Sequence, residues 1–106
     1  MVGGIYVIDM PYSHFRQFKA RPVLVFKKID KNDLLVLPLT TNLSRKGIVI
    51  DSSDIKEGSL KKKSVLIIPK LTAIDSGLIN HTRCIAKLKS SVFAAIREAL
   101  CAQLEC

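Results

Sequence analysis

The sequence predicts a small, mainly β protein: a partly open β-barrel followed by one C-terminal α-helix. Three observations carry that reading. Short runs rich in Val, Ile and Leu recur along the 106 residues, separated by turn-forming residues. Several of those runs are apolar at every position, as strands covered on both faces are. Only the tail changes to the spacing of an amphipathic helix.

Strands are expected at Ile5–Asp9, Pro22–Phe26, Leu34–Leu39, Gly47–Asp51, Ser64–Ile68 and Cys84–Leu88. Six strands of this length suit a small barrel. A run such as Val23-Leu24-Val25-Phe26 needs protein on both sides. One face would pack into the barrel, and the other calls for a helix or a second subunit. Pro38 and Pro69 fall inside apolar runs, where they lack the N–H that a ladder needs, so edges or bulges are expected there. Ile74 to Ile79 has the makings of a helical turn interrupted by Gly77. In the tail, Ser90 or Ser91 is positioned to cap a helix whose apolar face is Val92, Phe93, Ile96, Ala99, Leu100 and Leu104. Residues 1–106 form one domain, because a second independent core would need about as many residues again.

Lys and Arg number 17 against 9 Asp and Glu, a net charge of +8. So strong an imbalance on so short a chain points to a polyanionic partner, nucleic acid being the commonest, with a merely basic surface as the alternative. Many acids (Asp30, Asp33, Asp51, Asp54, Glu57) lie in turn-like stretches, whereas Arg16, Lys19, Arg21, Arg45, Lys46 and Lys61 to Lys63 recur beside the segments that carry motifs. Three cysteines without C-x-x-C spacing and two histidines argue against a zinc site or a disulfide framework. No metal and no cofactor is expected. The opening residues have no signal-peptide pattern, and no apolar stretch approaches a membrane span, so a reducing cytoplasm is the expected setting.

Three stretches stand out. The first is Gly4-Ile5-Tyr6-Val7-Ile8-Asp9, a polar loop from Pro11 to Ala20, then Arg21-Pro22-Val23-Leu24-Val25. The second is Val36-Leu37-Pro38-Leu39-Thr40-Thr41-Asn42. The third runs from Gly58-Ser59-Leu60 through Ser64-Val65 to Lys70-Leu71-Thr72-Ala73-Ile74-Asp75. In this order and spacing they resemble the signature segments of the MazF/PemK-type toxins of type II toxin-antitoxin systems, and the resemblance covers nearly the whole chain. It implies a partly open barrel of the Src-homology-3-like class, a homodimer, a cognate antitoxin with an acidic segment, and a metal-independent endoribonuclease. The implied substrate is single-stranded RNA, mRNA included, cut at short motifs to a 2′,3′-cyclic phosphate and a 5′-hydroxyl. In that family a basic residue and a hydroxyl residue matching Arg21 and Thr40 sit at the active site.

Elementary chemistry agrees with those two residue types. Attack by a ribose 2′-hydroxyl on the adjacent phosphate needs in-line positioning, charge stabilisation and proton transfer. Arg21 can hold two phosphate oxygens at once and is always charged, so it serves as electrostatic stabiliser and not as base. Thr40, closing an apolar strand, offers a hydroxyl donor at a fixed place. For each residue singly the plain alternative is an exposed ion pair or an ordinary strand residue. A histidine side chain can titrate near neutrality, so His14 is a candidate proton relay, with a solvated loop histidine as the other reading. Around it, Tyr12, Ser13, Arg16 and Lys19 form an aromatic and basic loop suited to unstacked bases. Thr41 and Asn42 are candidates for reading base edges. Ser64 and Lys70 join the candidate RNA contacts, and Lys61 to Lys63 are candidate phosphate contacts.

One departure from the family pattern matters. Some members carry an Arg and an Asp for proton transfer in the strand that here reads Ile67-Ile68-Pro69, and neither Ile67 nor Pro69 can move a proton. Either His14 acts, or Arg21 and Thr40 suffice with a solvent proton, or the chain binds without cleaving. Two other readings keep the fold. A gyrase poison of the CcdB type would need C-terminal aromatic residues, whereas this chain has no Trp and ends Gln-Leu-Glu-Cys. The other is a barrel-type adaptor that binds a partner peptide.

Overall fold

The computed structural model describes residues 1–11, 18–80 and 82–105, and for residues 10, 11, 18 and 19 the backbone alone. Among the described residues the chain forms eight strands and two α-helices: β1 (Gly4–Pro11), β2 (Phe18–Lys28), β3 (Asp33–Thr40), β4 (Ile48–Ile50), β5 (Ile55–Gly58), β6 (Ser64–Leu66), β7 (Thr72–Asp75), α1 (Gly77–Asn80), β8 (Cys84–Leu88) and α2 (Ser90–Leu104). The strands make one antiparallel curled sheet in the order β4-β6-β3-β2-β1-β8-β5, with β7 also pairing β3. Because β4 and β5 end the sheet without pairing each other, the barrel is open, as the sequence predicts. Register shifts at Ile5/Tyr6, Val25/Lys27 and Ile55/Glu57 mark bulges that help such a sheet curl.

The alternation of side chains sorts the core into two layers. Ile5, Leu24, Leu37, Leu39 and Leu66 share one layer with Ile96 and Leu100 of α2. Tyr6, Ile8, Val23, Val25, Leu34 and Val36 share the other with Ile74 of β7 and Ile79 of α1. Here lies the reason that Val23-Leu24-Val25 is apolar at successive positions: all three are fully buried, alternately in the two layers. The second face, which from sequence called for a helix or another subunit, is covered by this chain's own β7 and α1. That run of apolar residues is therefore explained without a dimer.

Several local expectations change. Ile55–Gly58 and Thr72–Asp75 are strands that sequence periodicity did not expose. Ile74 belongs to β7, and Gly77 begins the helical turn instead of breaking it. Pro38 occupies a central strand. It pairs with Val23 on one side, while the other side of β3 passes from β7 at Val36 to β6 at Leu39. Pro38 falls in that gap, where a missing N–H breaks no ladder bond, and its carbonyl accepts Ile67 N–H at 2.9 Å. Pro69 lies outside any strand, in the 3-10 turn Ile68–Lys70. The cap of α2 is Lys89, not Ser90 or Ser91. Its backbone N–H is already tied to Asp54 O at 3.0 Å, which sets where the chain turns into the helix.

Gly58 is the glycine whose backbone most clearly fixes its identity. It sits at φ 77°, and a Cβ there would come within 2.2 Å of the Ile85 carbonyl. Gly58→Ala should therefore lower the stability of the fold by about 1–3 kcal/mol, seen as a lower urea midpoint with little change in the slope of the transition.

Candidate functional site

The site begins with the pairing of β2 and β3. Their last ladder pair at this end is Val23 with Pro38. The ladder stops there, and the same register carried two residues further would put Arg21 opposite Thr40. Two-residue steps keep to one face, so Arg21 follows Val23, and Thr40 follows Val36 and Pro38, on the side of the second layer. Both residues are half-buried. Arg21 is further fixed by β1, where it pairs Ile8, and Thr40 by β6, where it pairs Val65. The Thr40 hydroxyl oxygen accepts the Asn42 backbone N–H at 3.2 Å. Among the described residues nothing accepts its own proton, which leaves the hydroxyl available as a donor.

The neighbours of this pair point the other way. Pro22 and Thr41, each adjacent to one of the two residues, line a cavity of about 730 Å³ on the face that carries Leu24 and Leu39. Its apolar lining comes from Val7, Pro22, Leu60 and Ile85, with the Cys84 thiol beside them. Its rim carries Lys61, Lys62 and Arg83. All three cations are exposed, and among the described residues none has a carboxylate within 4.0 Å. Behind the cavity, burial raises the Tyr6 phenol above its ordinary value of 10.0, and the adjacent Cys84 thiol adds to the effect. Tyr6 is neutral at physiological pH and no base.

The remaining candidates divide. Thr41 is exposed at the cavity. Ser64 also lines it but is nearly buried, and its hydroxyl donates to Lys62 O at 3.1 Å. That bond holds the turn that presents Lys61 and Lys62, so Ser64 positions the cations. The Asn42 side chain is turned onto its own loop, accepting Ser44 N–H at 3.1 Å and the Ser44 hydroxyl at 2.6 Å. Lys70 lies elsewhere. It precedes Thr72, which pairs Val36, four residues up β3 from Thr40 or about 13 Å along the strand. Tyr12, Ser13, His14 and Arg16 lie outside the described residues, as does the Lys19 side chain. Ile67 is buried and Pro69 exposed, and neither titrates.

Sequence reasoning missed Arg83, Val7 and Leu60. Arg83 has no motif around it; it reaches the site only because β8 pairs β1. Ile5-Tyr6-Val7-Ile8 is apolar throughout, so the sequence carries no signal that Val7 is exposed between buried Tyr6 and Ile8. Among the described residues no three of His, Cys, Asp and Glu come together as a metal site.

A curled half-barrel whose open face carries unpaired cations around an apolar cavity has the surface chemistry of a polyanion-binding module. The model of the PemK-like, MazF-like toxins of type II toxin-antitoxin systems matches residues 1–104, and the chain belongs to that family. Membership makes it the toxin of a toxin-antitoxin pair, in a family whose members are generally endoribonucleases. Comparison with individual curated proteins gives no match. No described helix is long and apolar enough to cross a membrane.

The Asn42 side chain stabilises its turn by about 1 kcal/mol if it behaves as a typical hydrogen-bonding group. In Asn42→Ala the Ser44 amide should then exchange with solvent roughly fivefold faster, measured by hydrogen exchange, while the amides of β3 keep their protection.

Proposed function

We propose that this toxin cleaves single-stranded RNA, mRNA included, with Arg21 and Thr40 acting together on the scissile phosphate. The observation that supports the reading is the β2–β3 register, which ends at Val23 and Pro38 and, carried two residues on, would set Arg21 opposite Thr40 on one face. In the reaction the ribose 2′-oxygen bonds to phosphorus and the bond from phosphorus to the 5′-oxygen breaks. The 2′-hydroxyl proton passes to a base and a proton reaches the departing 5′-oxygen. The products are a 2′,3′-cyclic phosphate and a 5′-hydroxyl. Arg21 holds the non-bridging oxygens as charge builds on them, and the Thr40 hydroxyl donates to the same group. With Ile67 and Pro69 unable to titrate, His14 is the assigned proton relay, and the loop bearing Tyr12, Ser13, Arg16 and Lys19 is the assigned RNA contact beside Thr41. No step calls for a metal ion or cofactor. The family resemblance adds a homodimer, an antitoxin whose acidic segment meets the basic face, and a cytoplasmic setting.

The test is cleavage of a long single-stranded RNA in EDTA with end-group analysis. The wild type should give cyclic-phosphate and hydroxyl ends. Arg21→Ala should lower kcat/KM by on the order of a hundredfold to a thousandfold, as loss of a transition-state donor does, with folding intact. Thr40→Val should lose activity where Thr40→Ser keeps most of it. Cleavage by Arg21→Ala at the wild-type rate would remove Arg21 from the mechanism.

A further inference from the structure

We infer that the cavity behind β1, β2 and β6 seats the base of the nucleotide beside the scissile linkage, and that Arg83, with Lys61 and Lys62, holds the phosphates flanking that base. The inference rests on the nuclease reading for its substrate and on separate observations for its place. Pro22 and Thr41 line the cavity, and each is one residue, about 3.8 Å of chain, from a member of the Arg21–Thr40 pair. Strand alternation sends adjacent side chains to opposite faces, so a phosphate held by Arg21 and Thr40 and a base held in the cavity lie on two sides of the same strand ends. An RNA strand passing over that end can keep its phosphate on one side and turn the attached base into the other.

The chemistry of the walls fits a base better than any other part of a nucleotide. Val7, Pro22, Leu60 and Ile85 offer an apolar floor, and Val7 remains 39% exposed with no described side chain closing over it. The hydroxyls of Thr41 and Ser59 stand where base edges need hydrogen-bond partners. Among the described lining residues none is acidic, and the three cations are without carboxylate partners, which favours a ligand that carries negative charge on both sides of an apolar plate. A volume of about 730 Å³ lies within the range of small-molecule sites, ample for one unstacked base. Lys61 and Lys62 come from the turn held by Ser64, and Arg83 comes from the start of β8, so the cations reach the rim from two different segments.

The experiment uses an oligoribonucleotide blocked by 2′-O-methyl groups, so that it binds without being cut, with 4-thiouridine placed in turn at each position. Irradiation with the wild-type protein should cross-link the position beside the scissile linkage to the segments 59–64 and 83–85. Val7→Trp, which fills the cavity, should abolish those cross-links and weaken binding at least tenfold. Exposed Arg83→Ala needs no repacking, and it should reduce the slope of log Kd against log salt by about 0.7, the value for one phosphate contact on a single strand. Cross-links confined to other segments, or an unchanged salt slope in Arg83→Ala, would overturn the inference. So would a Val7→Trp protein that binds RNA normally but no longer binds an acidic peptide held by the wild type, which would give the cavity to a peptide partner. If the wild type shows these cross-links yet leaves unblocked RNA intact, the base seat stands and the nuclease reading fails.

Discussion

The β2–β3 pairing is the constraint on which the molecule turns. Val23, Leu24 and Val25 are fully buried, and they oppose Pro38, Leu37 and Val36 in fixed order. Slipping that register by one residue would exchange the two layers, putting Leu24 where Val23 and Val25 fit and breaking the packing on both faces at once. The cost of such a slip is what fixes the neighbours at the end of the ladder. In the proposed site Arg21 and Thr40 are brought to one end of the ladder because buried residues further along the same strands hold its register.

That end of the sheet is also where β3 changes partners. Between Val36 and Leu39 its outer edge leaves β7 and takes up β6, and Pro38 sits at the change. Beyond the switch β3 runs beside β6, whose preceding turn at Lys61 and Lys62 lines the same cavity as Thr41. One short stretch of β3 thus supplies a donor hydroxyl to one face and a cavity wall to the other. A proline, which in most central strands would cost a ladder bond, is tolerated there because the ladder is interrupted anyway.

The parts of the fold that were legible in the sequence are those dominated by burial. The long apolar runs of β1, β2, β3, β6 and β8 announce themselves, as does the spacing of Ile96 and Leu100 on α2. Strands β5 and β7 escaped because Ile55-Lys56-Glu57-Gly58 and Thr72-Ala73-Ile74-Asp75 are short and mostly exposed, with too few buried positions to set a period. They form because neighbouring strands offer them hydrogen bonds, a tertiary cause that local composition does not encode. The same distinction holds at the site. Arg21 and Thr40 are proposed from their motifs, whereas Arg83 joins the cavity lining through the β1–β8 pairing, which no motif announces. Ser64 and Asn42, candidate RNA contacts in the sequence, also hold turns: Ser64 donates to Lys62 O and Asn42 Oδ1 accepts from Ser44, a use that polar residues beside loops often have.

The central claim is that Arg21 and Thr40 act as one unit, and a double-mutant cycle on RNA cleavage tests it most directly. Rates for Arg21→Ala, Thr40→Val and the double variant would be compared with the wild type on one substrate. If both side chains grip the same phosphate, the double variant should be scarcely slower than the worse single variant, since removing one partner already disables the pair. Strictly multiplicative losses would contradict the account and assign the two residues to separate tasks.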